Sequence, residues 1–267
     1  MSRLTGLDVS VFDIDSASFL ADLRGVTLES TADVVDATPL SLAGKKVEPV
    51  RRKVQLEARM TSEKPGGAKV THLDLSSLSI GGTNYVPVLR EGVFAGRNRW
   101  KSAAGVSDEW EYPVVVQKDY AAEVVIALEP GMSQQAAQAA FGSVTGSKIG
   151  FGLTLNGVAV VLPMVLVKWE HVMSVGDVQT WRLRLKGSAP IGAVYPSSPL
   201  GTGTLLSRAM NDPGGLFGIQ VISRGTGGQL YDGQFLCEEF EFGFSDRSVV
   251  ETRFKFVSQG AVTRVAT

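Results

Sequence analysis

The sequence predicts a mainly β protein: two similar sandwich or barrel units, each with one short flanking helix. Three observations predict this. Short runs of alternating apolar and polar residues recur along the chain, bounded by Gly, Pro, Asn and Asp clusters. Only two stretches, Ser133–Phe141 and Thr204–Asn211, read as helices. A helix followed by an alternating hairpin also occurs twice at one spacing, the mark of an internal repeat.

The repeat is clearest in the second half of the chain. Ser133 to Gly187 opens with SQQAAQAAF and closes with MVLVKWEHVMSVGDVQTWRLRLKG; Thr204 to Ser258 opens with TLLSRAMND and closes with FLCEEFEFGFSDRSVVETRFKFVS. Both starts and both ends differ by 71 (204 − 133 and 258 − 187). At that offset Trp169 falls on Phe240, Glu170 on Glu241, Leu183 on Phe254 and Leu185 on Phe256. In the second helix Thr204 is placed as an N-cap and Asp212-Pro213-Gly214-Gly215 as the stop.

The first half repeats more weakly. Leu7–Phe12 alternates, Asp13-Ile14-Asp15-Ser16 is turn chemistry, and Phe19–Glu29 reads as a strand containing Gly25. Ser30–Lys46 is polar and reads as a long excursion, after which Val54, Leu56, Ala58 and Met60 share a strand face. The pattern then begins again: Leu73–Ile80, a turn at Gly81–Asn84, and Tyr85–Ala95 with Gly92 inside. A second excursion, Gly96–Glu111, precedes the row Ala122, Val124, Ile126 and Leu128. Gly25 and Gly92 align at an offset of 67 (92 − 25).

The order is therefore N-half, N-half, C-half, C-half. The simplest arrangement is nested: residues 66–196 form one unit, inserted into another made of 1–65 and 197–267. Sequential pairing with exchanged strands is the alternative.

Composition excludes several function classes. A net charge of −1 argues against a basic nucleic-acid-binding surface. The single Cys237 cannot form an intramolecular disulfide or a thiolate zinc site. The N-terminus shows no basic region followed by an apolar run, so no signal peptide is expected. The longest apolar stretch, Phe151–Val167, contains Asn156-Gly157, a two-residue hairpin signal, and Pro163, which breaks helices. It reads as two strands, with no membrane span.

No catalytic constellation, cofactor loop or metal site is legible. His72 and His171 lack ligand spacing, and His171 falls in an apolar row with Val167, Trp169 and Met173. Asp13-x-Asp15 and Asp33-x-x-Asp36 lack the oxygen ladder of a calcium loop and suit turns or caps. Arg51-Arg52-Lys53 opens a strand and suits a solvated edge or subunit contact. An enzyme is not expected.

The hairpins carry the more informative signal. In the last, Leu236, Glu238, Phe240, Phe242 and Phe244 are assigned to one face, with Cys237, Glu239 and Glu241 opposite. The returning strand sets Val250, Thr252, Phe254 and Phe256 against Glu251, Arg253 and Lys255. In the earlier hairpin Lys168, Glu170, Arg182, Arg184 and Lys186 oppose Trp169, Trp181, Leu183 and Leu185. Each hairpin has a core side and a charged, wet side. A solvated sheet face is one reading; a sheet that joins copies of itself edge to edge, its charged face lining a water-filled channel, is the sharper one.

On this helix-plus-hairpin pattern, with GLFGIQVIS…GQFLCEEFEFGFSDRSVVETRFKFVSQG and the excursion STADVVDATPL, the chain resembles the tail tube (major tail) proteins of long-tailed bacteriophages. The resemblance implies a structural virion protein, made in the bacterial host cytoplasm, whose sheets close into a tube for DNA ejection. It implies partners: further copies of itself, and tail proteins such as the tape measure and terminator. DNA would be present only in transit. The duplication points to a trimeric ring with pseudo-six-fold symmetry, and Lys168, Glu170, Arg182, Arg184, Lys186, Glu239, Glu241, Glu251, Arg253 and Lys255 become candidates for facing the lumen. A baseplate hub or tail-adaptor of the same fold is the alternative. A carbohydrate-binding β-sandwich using Trp100 and Trp110 is a more distant one.

Overall fold

The computed structural model describes residues 3–5, 9–20, 22–36, 47–61, 75–105, 108–127, 145–146, 148–155, 158–172, 179–189, 205, 208–209, 212, 214–224, 228–245 and 248–266. The chain is almost entirely antiparallel β. Its strands are β1 (Arg3–Thr5), β2 (Val9–Ile14), β3 (Ala17–Ser18), β4 (Leu23–Asp36), β5 (Val47–Thr61), β6 (Leu75–Ile80), β7 (Thr83–Asn84), β8 (Leu89–Ser102), β9 (Pro113–Ala127) and β10 (Lys148–Leu155). They continue with β11 (Val158–Val172), β12 (Thr180–Ala189), β13 (Leu216–Ser223), β14 (Gln229–Ser245), β15 (Ser248–Ser258) and β16 (Thr263–Ala266).

Hydrogen bonding runs in the order β1-β4-β5-β15-β14-β8-β9-β12-β11-β10-β6-β7, with β13 bridging β14 to β2. The sheet is open rather than closed into a barrel. Strands from the two ends of the sequence lie together (β4, β5, β15, β14, β13, β2), and strands from its middle lie together (β8, β9, β12, β11, β10, β6).

The two sets repeat residue by residue. Phe240 pairs with Phe254 and Trp169 with Leu183; Glu241 pairs with Arg253 and Glu170 with Arg182. Each partner differs by 71 (240 − 169, 254 − 183). The bulges follow the same offset, between Cys237 and Glu239 and between Leu166 and Lys168. In the N-terminal pair, Val26 faces Ala58 as Gly92 faces Val124, an offset of 66 (92 − 26, 124 − 58). The bulges Leu23/Gly25 and Leu89/Glu91 also keep 66, as do Asp33/Val34 and Arg99/Trp100. The Gly25–Gly92 alignment at 67 is therefore corrected by one residue: Gly92 is the counterpart of Val26. Similar local sequence misled there, because a one-residue slip in a strand reverses its faces and only pairing fixes it.

Within the chain the two sets meet where β14 pairs with β8, from Glu239 opposite Arg97 to Phe244 opposite Gly92. Glycine is required on β8. A Cβ at Gly96 would lie 2.3 Å from Cζ of Phe240, and one at Gly92 2.2 Å from Cε2 of Phe244. The two rings fill those places and pack with Phe94 and Phe242 in one continuous core. That core extends through Phe12, Leu56, Phe254 and Phe256 on one side and Phe151, Trp181 and Leu183 on the other.

Several expectations change. Ser30–Lys46 and Gly96–Glu111 are not loops throughout: Ser30–Asp36 belongs to β4 and Gly96–Ser102 to β8, both laddered to the returning strand. Their polarity reflects solvent exposure, not lack of strand structure. Val86–Val88, around Pro87, is a 3-10 turn, so the strand expected from Tyr85 begins at Leu89. The bulge at Glu238 reverses the phase of β14, since two residues there oppose one. Cys237 consequently faces the core, and Leu236 packs with Val115 and Val257 outside it. The bulge at Val167 likewise removes that residue from the row of Trp169, leaving it exposed. β10 and β11 pair with Leu155 opposite Val158, and β11 continues to Val172; Asn156-Gly157 lies outside the described residues. No helix among the described residues is long and apolar enough to cross a membrane. Leu205, Arg208 and Ala209 are helical, with Leu205 and Ala209 buried one turn apart. The predicted helix Ser133–Phe141 and His72 lie outside the described residues.

Candidate functional site

Strand alternation places all ten charged candidates on one face of the sheet, opposite the core. Cross-strand pairing arranges them in rows. One row reads Glu57, Lys255, Glu239, Arg97, Asp119, alternating in sign across β5, β15, β14, β8 and β9. A second reads Arg59, Arg253, Glu241, Ala95, Ala121, Lys186. A third carries Glu251, Gly243, Val93, Glu123, Arg184 and Lys168. Arg182 and Glu170 lie in the next.

Most of these charges have a partner of opposite sign. Nε of Arg182 and of Arg184 lie 3.3 and 3.0 Å from the two carboxylate oxygens of Glu123. Arg253 donates to Glu57 at 2.9 Å, and Arg59 reaches the other oxygen of Glu57 at 3.1 Å. Lys168 pairs with Glu170, and Arg99 with Asp119. Lys255 lies 3.3 Å from Glu238, the buried bulge residue, which also accepts from Nε1 of Trp100. The Arg253 hydrogen bond holds the Glu57 carboxyl below the usual range, and Glu57 in turn raises Arg253. Lys168 lowers Glu170 in the same way. Such exposed pairs contribute little stability, about 0–1 kcal/mol each. Their effect is to offset part of the positive charge of the face.

A groove of about 660 Å³ lies in this face over the middle strand set, lined by Arg97, Arg99, Lys148, Lys186 and Asp119 among others, with Glu239 of β14 at its border. Sequence reasoning missed Glu57, Arg97, Asp119 and Glu123. The alternation of β5 and β9 already pointed them away from the core, but their partners come from strands remote in the chain.

The other candidates have structural roles. Asp15 sits at φ 50° in a turn, accepts from the Gly218 amide at 2.9 Å and pairs with Arg208. Arg51 and Arg52 bind Glu111 and Glu109 at 3.8 and 3.0 Å, tying β5 to the segment before β9. His171 stacks on Trp181 with ring centroids 4.5 Å apart and lies 3.2 Å from Gln179. Burial pushes the Cys237 thiol far up, away from nucleophilic character. Among the described residues no group of three His, Cys, Asp or Glu could hold a metal. Trp100 packs, partly buried, against the Val115–Leu236–Val257 cluster, and Trp110 against the main core.

No family model matches this chain, and no curated protein matches it. Among solved structures, 49% of the chain aligns with all of a chain from the tail of an empty GTA particle with C6 symmetry, at 13% identity and TM-score 0.32. A chain of the virion of a native gene transfer agent (GTA) particle aligns over 69% of this chain and 94% of that one, at 13% identity and TM-score 0.23.

Proposed function

We propose that this chain is a structural protein of a phage-type virion and forms the tail tube through which DNA passes. The observation that carries the reading is the continuous sheet face on which the ten charged side chains lie in rows, six of them (Lys168, Glu170, Arg182, Arg184, Arg253 and Lys255) in contact with a group of opposite sign. A wall that conducts DNA must not hold phosphate, and unpaired Lys or Arg would hold it in a salt-dependent way. Here Glu123 is shared by Arg182 and Arg184, and Glu57 by Arg253 and Arg59, so each carboxylate offsets one of its two guanidinium charges. On this reading residues 1–65 with 197–267 form one tube-like unit and 66–196 the inserted second. Three chains supply six such units per ring, and the rings stack. The β4–β5 and β8–β9 hairpins reach toward the neighbouring ring, and the tape measure and terminator meet the assembled tube.

A baseplate hub or tail-adaptor is the second reading, favoured by two pairing repeats within one chain, which suit a single trimeric ring. Negative-stain images of concentrated protein decide between them: stacked rings support the tube, single rings the hub. A chain that stays monomeric alone and with other tail components overturns both.

A further inference from the structure

We infer that copies of this chain join by pairing the C-terminal half of β11 with β4 of the next copy, in the register already present inside the chain. The inference rests on the ring reading above and specifies its contact.

The internal join is the template. β14 uses its first half to pair with β13 and its second, Glu239–Phe244, to pair with β8. Its counterpart β11 uses its first half to pair with β10, as far as Val165. Among the described residues, β11 beyond that point has β12 on one side; on the other it has no strand, only the bridge from Thr145 and the Gly146 amide donating to the Leu166 carbonyl at 2.9 Å, both ahead of Lys168. β4, the counterpart of β8, has β5 along one side. On its other side β1 covers only Gly25–Thr27. A chain that satisfies one β14–β8 join within itself thus presents a shorter second one at opposite ends of its main sheet, Lys168–His171 on β11 and Leu28–Thr31 on β4, because Thr27 is already paired with Arg3 of β1. Such edges are templates for pairing with another chain.

Burial agrees. Phe94, Gly96 and Asn98 are buried at the internal join, whereas their counterparts at offset 66, Leu28, Ser30 and Ala32, are half-buried or exposed. Val34, the counterpart of Trp100, is 59% exposed. Phe240 is buried, whereas Trp169 is only partly so. Val26 stands where β8 has Gly92, and its own side chain fills the core volume that Phe244 lends above that glycine.

The offsets fix the register. Glu239 opposite Arg97 becomes Lys168 opposite Thr31 (239 − 71, 97 − 66). Phe240 opposite Gly96 becomes Trp169 opposite Ser30, and Glu241 opposite Ala95 becomes Glu170 opposite Glu29. The contact is head to tail. It therefore closes into a ring if each step turns by the right angle, and it continues the rows of the charged face from one copy into the next. Glu29 against Glu170 is the one like-charge pair it creates.

Disulfide trapping in the full chain tests the register. Thr31→Cys with Lys168→Cys is expected to give an oxidised intermolecular ladder, because directly opposed Cβ atoms lie within disulfide reach. Thr27→Cys with Lys168→Cys is displaced by four residues, about 13 Å along the strand, and is expected to give none. The buried native Cys237 does not compete. In a separate variant Glu29→Lys removes the like-charge pair and is expected to lower the concentration needed for assembly roughly three- to tenfold. Rings that cross-link equally through both cysteine pairs, or through neither, overturn this join while leaving the tube reading intact. Failure of the unmodified chain to assemble at all overturns both.

Discussion

Gly96→Ala probes the internal join directly. The added Cβ would stand 2.3 Å from Cζ and 2.4 Å from Cε1 of Phe240, against about 3.5–4.0 Å for relaxed carbon contacts. The ring must retreat by more than about 1 Å. Behind it stands Phe94, centroid to centroid 6.3 Å away, fully buried and itself stacked on Phe151. Overpacking of this kind costs about 1–3 kcal/mol. Replacing a strand glycine returns about 0.5–1 kcal/mol of backbone entropy, so a net loss of about 1–2 kcal/mol is expected. Phe240→Leu shortens the ring and makes room. In a double-mutant cycle the two substitutions together are expected to cost less than their sum by about 1 kcal/mol or more. Urea denaturation followed by tryptophan fluorescence measures each variant, with m checked for constancy. Strict additivity, or a Gly96→Ala chain as stable as the parent, refutes the claim that ring and glycine share one space.

Other outcomes follow from single groups. Asn98→Ala removes the buried Nδ2 donor to the Cys237 carbonyl, a 2.8 Å bond across the same join. A loss of about 1–3 kcal/mol in the same urea assay is expected; an unchanged midpoint contradicts it. Glu123→Gln leaves Arg182 and Arg184 without their shared carboxylate. Stability is expected to stay within about 0.5 kcal/mol, while elution from immobilised DNA moves to higher salt; unchanged elution sinks the charge-balance argument. The Glu57 carboxyl is held low by Arg253, so its contribution is present above the unfolded value of about 4.3 and lost as pH falls through the folded one. Glu57→Gln is therefore expected to be slightly less stable than the parent at pH 7 and equal to it near pH 2; a gap that widens in acid reverses the sign. The buried Cys237 is expected to resist thiol reagents until urea unfolds the chain, and rapid stoichiometric labelling of the native protein counters that.

Local pattern alone was enough to read the class, the hairpins and the sidedness of most strands. Apolar alternation in Val54–Met60 and Thr252–Phe256 reports burial directly, because successive strand residues face opposite ways. Asn156-Gly157 marked its hairpin through local turn chemistry. The offset of 71 was legible because pairing within a hairpin is local, and it returns in the strand registers. Long-range pairing was needed for the phase of β14 ahead of Glu238, at Leu236 and Cys237, for the one-residue correction at Gly92, and for the extension of β4 and β8 through polar residues. A bulge shifts the phase of alternation by one residue at a point that only pairing locates, and a polar strand earns its structure from a neighbour that local sequence does not name. The charged face was half legible for the same reason. Its side chains alternate along each strand, but Glu123 meets Arg184 across 61 residues of chain and Arg253 meets Glu57 across 196. Those contacts exist only once the sheet has assembled its distant strands in register.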